Sequence, residues 1–263
     1  MSIEPRTQKK GALVTGASSG IGLAISERLC AMGYEVYGLG RDFTRAQAKA
    51  LIEREQNFHP MVVDLMQTSR LPEIVKQIDR QSKLEVLVNN AGVGYYGLHE
   101  QLKPAQISEM VRINLEVPML LSGLLLRTLK QNHGSIINIS SVTAEQNNPH
   151  GCAYGATKAG LSSFADSLFE EARKYGVRVT TILPDMTKTE LYRHADFEQG
   201  KERESYLEPS QVAEAVAYAL GQEAVVVKLM LRPQLHRIRR KSAEEFTEER
   251  NNEAFVCGYS RKK

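Results

Sequence analysis

Short apolar, β-branched runs alternate along the chain with longer stretches in which apolar residues recur at helical spacing. The runs ALVTG (12–16), YEVYGLG (34–40), HPMVVD (59–64), LEVLVNN (84–90), SIINISS (135–141), VRVTTILP (177–184) and AVVVKLML (224–231) predict seven strands. Helices are predicted between them, near 20–32, 43–56, 69–82, 104–131, 154–175 and 209–220. The strands read as continuous apolar runs rather than strict alternation, the mark of strands buried on both faces. An α/β fold is therefore expected, a mostly parallel sheet with helices on both sides. No Pro/Gly/Ser-rich linker and no repeat interrupts the pattern. That points to a single domain over residues 1–231, followed by a charged tail at 232–263.

Two segments fall outside the alternation. Residues 185–208 are polar and follow a strand end, where α/β sheets place their ligands. Connections this long usually have a function of their own, so a lid is favoured over a solvated linker. The tail from Arg232 carries RIRRK at 237–241 and then EEFTEER at 244–250. It reads as a solvated helix or a frayed end, with a nucleic-acid arm as the minor reading.

Composition narrows the class. With 42% hydrophobic and 25% charged residues in 263, the chain has ordinary globular usage. The 34 basic and 31 acidic residues leave +3, too balanced to imply a nucleic-acid or membrane partner. Cys30, Cys152 and Cys257 are widely separated and odd in number, which argues against disulfides or a zinc site and for a reducing compartment. The opening residues lack the apolar stretch of a signal peptide, and VPMLLSGLLL (117–126) falls short of the roughly 20 residues a bilayer needs. A cytoplasmic protein with no metal is expected.

Strand ALVTG runs through ASSGIG into a helix, and Gly16, Gly20 and Gly22 punctuate the turn. Glycines there let the backbone approach a pyrophosphate, which the amides and dipole of the helix start then hold. The second strand ends GLGRD, at the place that reaches an adenine ribose in such sheets. An acid there would bind a free 2′-hydroxyl; Gly40 stands in its stead and Arg41 follows. An arginine suits a 2′-phosphate, which points to NADP(H), with NAD(H) as the lesser option. Asp42 is expected to cap the next helix.

The chemistry lies in SIINISSVTAEQNNPHGCAYGATKAG. Tyr154 and Lys158 are four apart, so they share a helix face. Both ionise near pH 10, but a neighbouring ammonium and a cationic nicotinamide would bring the phenol towards neutral pH. Ser141 ends the preceding strand, where its hydroxyl could bond a substrate oxygen.

These residues resemble the short-chain dehydrogenase/reductase family over roughly residues 10–231. The matching pieces are TGASSGIG at 15–22, NNAG at 89–92, Asn114, Ser141 and YGATK at 154–158. The resemblance implies a Rossmann-type, doubly wound, seven-stranded sheet and a catalytic set of Tyr154, Lys158, Ser141 and Asn114. Tyr154 would be the acid/base, Ser141 would orient the carbonyl or alcohol, and Lys158 would hold the nicotinamide ribose and lower the tyrosine pKa. Asn114 would position a water relaying protons to Lys158. Cofactor contacts are implied at Ser18, Ser19 and Ile21 of the loop, and at Asp64 and Leu65. Others are implied at Asn90, Ala91 and Gly92, and at Pro184, Thr187 and Thr189. Asn89 and Asn90 would also tie neighbouring strands together. Helices 104–131 and 154–175 would pair two copies, giving a homodimer or homotetramer.

One departure stands out. The family's Pro-Gly after the sixth strand is Pro184-Asp185 here, and Asp185 faces either the cleft or, by preference, solvent. Cys152, with no base evident beside it, reads as an inert small residue, and His150 and His194 as ordinary loop residues. The function implied is hydride transfer between NADP(H) and a carbonyl or alcohol. The rival class is a non-catalytic nucleotide sensor on the same fold, which would need the glycine loop but not Tyr154 and Lys158.

Overall fold

A computed structural model describes residues 9–193 and 195–241, and in it the strand–helix alternation closes into one parallel sheet. Its strands are β1 (Lys10–Thr15), β2 (Glu35–Gly40), β3 (Phe58–Val62), β4 (Lys83–Asn89), β5 (Ser135–Ile139), β6 (Arg178–Pro184) and β8 (Lys228–Leu231). A separate pair is formed by β7 (Phe197–Gln199) and β9 (Ile238–Arg240). The helices are α1 (Gly20–Ala31), α2 (Ala46–Arg54), α3 (Leu71–Asp79), α4 (Pro104–Val111), α5 (Val117–Asn132), α6 (Cys152–Ala172) and α7 (Pro209–Gly221).

The large sheet has the order β3-β2-β1-β4-β5-β6-β8, with every neighbouring pair parallel. This is the Rossmann-type doubly wound arrangement. Its order reverses between β1 and β4, which opens a crevice at the carboxyl ends of the strands. Alternate residues of one strand feed opposite cores. Ala12 and Val14 pack with Ile25 and Leu29 of α1 and Val216 of α7. Leu13 packs on the other face with Leu71 of α3 and Leu121 and Leu125 of α5. Hence the unbroken apolar run in β1.

Three boundaries depart from the sequence reading. The seventh strand begins at Lys228 rather than 224, because β6 first meets it through Thr181. The helix expected over 104–131 is split by a π-helical turn at Arg112–Glu116. Pro118 accounts for this: it has no N–H to return to the carbonyl of Asn114 four residues earlier. Asp42 does not cap α2, whose first residue is Ala46; its Oδ1 accepts the Thr44 N–H at 2.8 Å in a turn ahead of the helix.

The tail differs most. Residues 232–241 are neither a helix nor a frayed end but a strap across the 185–208 segment. Phe197 pairs with Arg240 in the antiparallel β7–β9 ladder, and the Arg239 guanidinium donates twice to Glu198 at 2.9 and 2.7 Å. Arg237 reaches Glu202 at 2.6 Å, and the Leu235 N–H bonds the Glu204 carbonyl at 2.9 Å. Exposed ion pairs contribute only about 0.2–1 kcal/mol each, so the backbone ladder sets the register and the charges select it. His194 and residues 242–263, including Cys257, lie outside the described residues. Among the described residues no helix is long and apolar enough to cross a membrane.

Candidate active site

Backbone crowding shapes the loop between β1 and α1. Gly16 and Gly20 take φ of 67° and 55°, a left-handed conformation that disfavours any side chain. A Cβ on Gly22 would overlap the Gly16 carbonyl, and one on Gly16 would lie 2.9 Å from Ala91 Cα. The loop is stitched to the end of β4 through Thr15, whose Oγ1 accepts the N–H groups of Asn90 and Ala91 at 3.0 Å each. Asn90 Nδ2 returns a bond to the Thr15 carbonyl at 2.8 Å. Asn89 Nδ2 bonds Asn138 Oδ1 at 2.9 Å, tying β4 to β5.

Helix α1 has no acidic residue in its first turn, and its N-cap Ser19 makes no side-chain capping bond. The first-turn amides thus lack intrahelical partners and suit a phosphate. At the end of β2, a Cβ on Gly40 would lie 2.9 Å from Ser18 Cβ and 3.0 Å from Phe43 Cζ. The position has little room for any side chain, so the acid expected of an NAD-type ribose site is sterically disfavoured. Arg41 is exposed and lines the cleft beside it. Asp64 lines it too, with Oδ1 accepting the Met66 N–H at 3.0 Å.

One cleft collects every expected site residue except Gly22, which lies under the loop, and Asn114, which lies behind the wall. Thr189 closes over the loop, its methyl group placed so that a Cβ on Gly20 would come within 3.1 Å. Thr187 turns inward, its hydroxyl donating to the Asp185 carbonyl at 2.8 Å. The cleft fits an extended dinucleotide: a phosphate-binding turn, an arginine near one end and a buried phenol and ammonium at the other.

That buried end is built from four elements. Tyr154 and Lys158 are each 3% exposed and share one face of α6. Lys158 Nζ donates to the Ile139 carbonyl at the end of β5 at 2.8 Å and lies 5.8 Å from the Tyr154 ring centroid. Ser141, just past β5, accepts the Thr143 N–H at 3.2 Å and lines the cleft together with Tyr154. That bond caps the short turn Val142–Ala144. Asn114 is fully buried in the π-helical turn. Its Nδ2 donates to the Val93 carbonyl and its Oδ1 accepts the Val93 N–H, both at 2.9 Å.

One expectation meets an opposing effect in the protein alone, and another is corrected. Burial pushes Tyr154 up, to about 12, against the pull of hydrogen bonds from Ser141 and Tyr96. Desolvation of the phenolate outweighs whatever the nearby ammonium contributes, so the protein alone does not lower this pKa. Asp185 does not turn to solvent. It is half-buried on the cleft wall, with Oδ1 on the Met186 N–H at 2.8 Å. Cys152 and His150 are exposed outside the cleft lining.

The sequence reading missed an aromatic cluster above Tyr154, made by Tyr96, Tyr192 and Phe197. The tyrosines just after NNAG and within the polar 185–208 segment were the available signal. It also missed Arg45, whose Nη1 pairs with Glu190 Oε1 at 2.5 Å.

Comparison with known proteins agrees with this geometry. The short chain dehydrogenase family model matches residues 10–199. An uncharacterized oxidoreductase of Staphylococcus epidermidis is 33% identical over 225 residues, covering 84% of this chain and 95% of the relative. A 3-oxoacyl-acyl-carrier-protein reductase of Vibrio cholerae is 32% identical, with 83% and 92% covered. Among solved structures, an alcohol dehydrogenase of the archaeon Thermococcus sibiricus complexed with 5-hydroxy-NADP matches with a TM-score of 0.78. That match is at 28% identity and covers 89% of this chain and 99% of the other. A metagenomic short-chain oxidoreductase in complex with NADP matches at 0.73 and 30% identity, with 86% and 98% covered. The chain belongs to the short-chain dehydrogenase family of oxidoreductases.

Burial lowers Lys158 to about 8, from an ordinary 10.5. Between those values the unfolded chain still holds the lysine proton that the folded protein has released, so stability rises with pH in that window. Lys158→Met should therefore raise the Tm at pH 7, and the gap between variant and wild type should narrow as pH rises from about 8 towards 10. Parallel Tm curves for the two proteins would show that the ammonium is not desolvated in this way.

Proposed function

We propose that this is an NADP(H)-dependent carbonyl reductase, or in reverse an alcohol dehydrogenase, with Tyr154, Ser141, Lys158 and Asn114 as its catalytic set. The observation that carries this reading is the buried trio of Tyr154, Ser141 and Lys158, gathered at the far end of a cleft that starts at the phosphate-binding loop. The reduced nicotinamide, when bound, supplies the hydride.

The protein's own groups do the rest. Its raised pKa keeps Tyr154 a phenol at neutral pH, so it holds the proton that a carbonyl oxygen must receive. Ser141 orients and polarises that oxygen. Lys158, buried on the same helix face, holds the cofactor ribose and offsets charge on the phenol as the proton leaves. Pro118 leaves the Asn114 carbonyl without its helix donor, free to hold the water that passes protons to Lys158. The contacts carried over to Asp64, Leu65, Asn90, Ala91, Gly92, Pro184, Thr187 and Thr189 follow from their place on the cleft wall. Crowding at Gly40 together with Arg41 favours the 2′-phosphate of NADP(H), as do the two NADP-type complexes among its structural neighbours. Its balanced charge and separated cysteines suit a cytoplasmic setting.

An apolar stripe supports self-association. Met119, Leu120 and Leu124 of α5 are 39–40% exposed and Val111 of α4 is 43% exposed, more than isolated surface residues would explain. A homodimer or homotetramer through this face follows.

Three outcomes test the reading. Tyr154→Phe should lower carbonyl reduction by about 10²–10⁴-fold or more while NADPH binding persists, because a positioned acid is lost. Retention of most of the wild-type rate would instead fit the sensor. Arg41→Ala should cut the preference for NADPH over NADH by about tenfold, the loss of one charge-assisted contact, seen in kcat/KM with each cofactor. Light scattering at micromolar concentration should give a multiple of 29.4 kDa, and a monomer would remove the stripe's assigned role.

A further inference from the structure

Four aromatic rings meet beside the buried end of the cleft: Tyr154 and Tyr192 line it, Tyr96 and Phe197 pack against them outside its lining, and the proposed mechanism uses only Tyr154. Tyr96, Tyr192 and Phe197 form a closed triangle, with centroids 5.9 Å (96–192), 5.1 Å (96–197) and 5.6 Å (192–197) apart. Tyr96 also lies 5.5 Å from Tyr154. The three come from separate places: the loop after β4, the turn Glu190–Tyr192 and β7. Tyr96 folds back over Gly94, where a Cβ would lie 2.8 Å from its Cε2 and 2.9 Å from its hydroxyl. Phe197 is held from behind by the β9 strap, through its pairing with Arg240.

The Tyr96 ring is tilted 48° to the Tyr154 ring and packs directly against it. On the reading above, the Tyr154 phenol is the group that meets the substrate's oxygen. A second ring therefore fills space beside that phenol. The chain has placed there a group with the outline of a substrate, a flat ring bearing an oxygen. With Tyr96 displaced, Tyr192 and Phe197 would remain as two corners of an aromatic triangle whose third corner is open. Tilted and edge-on ring pairs are favourable, so a flat ring completes that triangle better than a flexible chain. Charge at this corner comes from the Asp185 carboxylate, close enough to Tyr192 to push its phenol further up. Lys158 lies on the α6 side, engaged with the Ile139 carbonyl. An acidic substrate would meet repulsion.

We propose, resting on the reductase reading, that Tyr96, Tyr192 and Phe197 form the substrate-specificity subsite. Tyr96 is a place-holder in it, and the substrate is an uncharged carbonyl compound with a flat ring next to the reacting carbon.

The test measures NADPH-dependent reduction of acetophenone, 2-octanone and benzoylformate, which match in carbon count and differ in ring and charge. Acetophenone should have the highest kcat/KM, by about tenfold or more over either alternative. Tyr192→Ala and Phe197→Ala should each lower it for acetophenone by about two- to tenfold, with a smaller loss for 2-octanone. Tyr96→Ala removes the place-holding ring, so it should lower KM for acetophenone by about two- to tenfold and change KM for 2-octanone less. A fall in kcat with an upward shift of the pH profile would make the Tyr96 hydroxyl an aid to proton transfer and overturn the place-holder. A protein that reduces 2-octanone or benzoylformate in preference to acetophenone overturns the subsite while leaving the reductase reading standing. A protein that binds NADPH and reduces no carbonyl in a wider screen overturns that reading, and the subsite with it.

Discussion

The junction of β1 with β4 is the constraint on which the rest of the molecule depends. Here the strand order reverses, and two chain ends that leave in opposite directions must still be held together. Thr15 does this through one hydroxyl, accepting the Asn90 and Ala91 amides and donating to the Val88 carbonyl at 3.3 Å. Asn90 closes the stitch from the other side, onto the carbonyls of Thr15 and Gly16. So close an approach leaves no room for a Cβ at Gly16 or Gly22. The glycines are therefore as much a requirement of strand packing as of phosphate binding. One geometry serves both.

At the other end of the cleft, burial is the organising effect. Tyr154, Lys158 and Asn114 are polar groups drawn almost wholly out of water, and Lys158 and Asn114 are anchored by hydrogen bonds to backbone. Desolvation raises the phenol and lowers the ammonium, so both are driven towards their neutral forms. A phenol that keeps its proton is suited to giving it away. The anchors hold the donors in place, so little reorganisation accompanies the transfer.

Above that site the 185–208 segment is held by charge and backbone pairing rather than by a core. The 185–208 segment offers Glu198, Glu202 and Glu204, and the strap answers with Arg237, Arg239 and the Leu235 amide. Such contacts are individually weak and surface-exposed. Phe197 joins the strap to the aromatic cluster, so the tail reaches the chemistry through one side chain.

Much of this was legible in the residues. Strands buried on both faces must be apolar throughout, so the parallel sheet and its helical cover could be read from periodicity. A glycine turn, a Tyr-x-x-x-Lys pair and a strand-end serine depend on local spacing, and local spacing is written directly in sequence. The π-helical turn was half legible, because Pro118 marked it although the apolar period ran straight through. What lay beyond reach was whatever depends on segments distant in the chain. The sign of the Tyr154 shift follows from how much protein surrounds it, not from the lysine four residues on. The inward set of Asp185 and the strap's register on β7 likewise require tertiary packing. So does the triangle of Tyr96, Tyr192 and Phe197, whose members come from parts of the chain that meet only once the sheet has formed. Sequence determined the elements and the local chemistry they carry; folding decided burial and long-range contact, because desolvation and ring packing arise only when distant segments share one space.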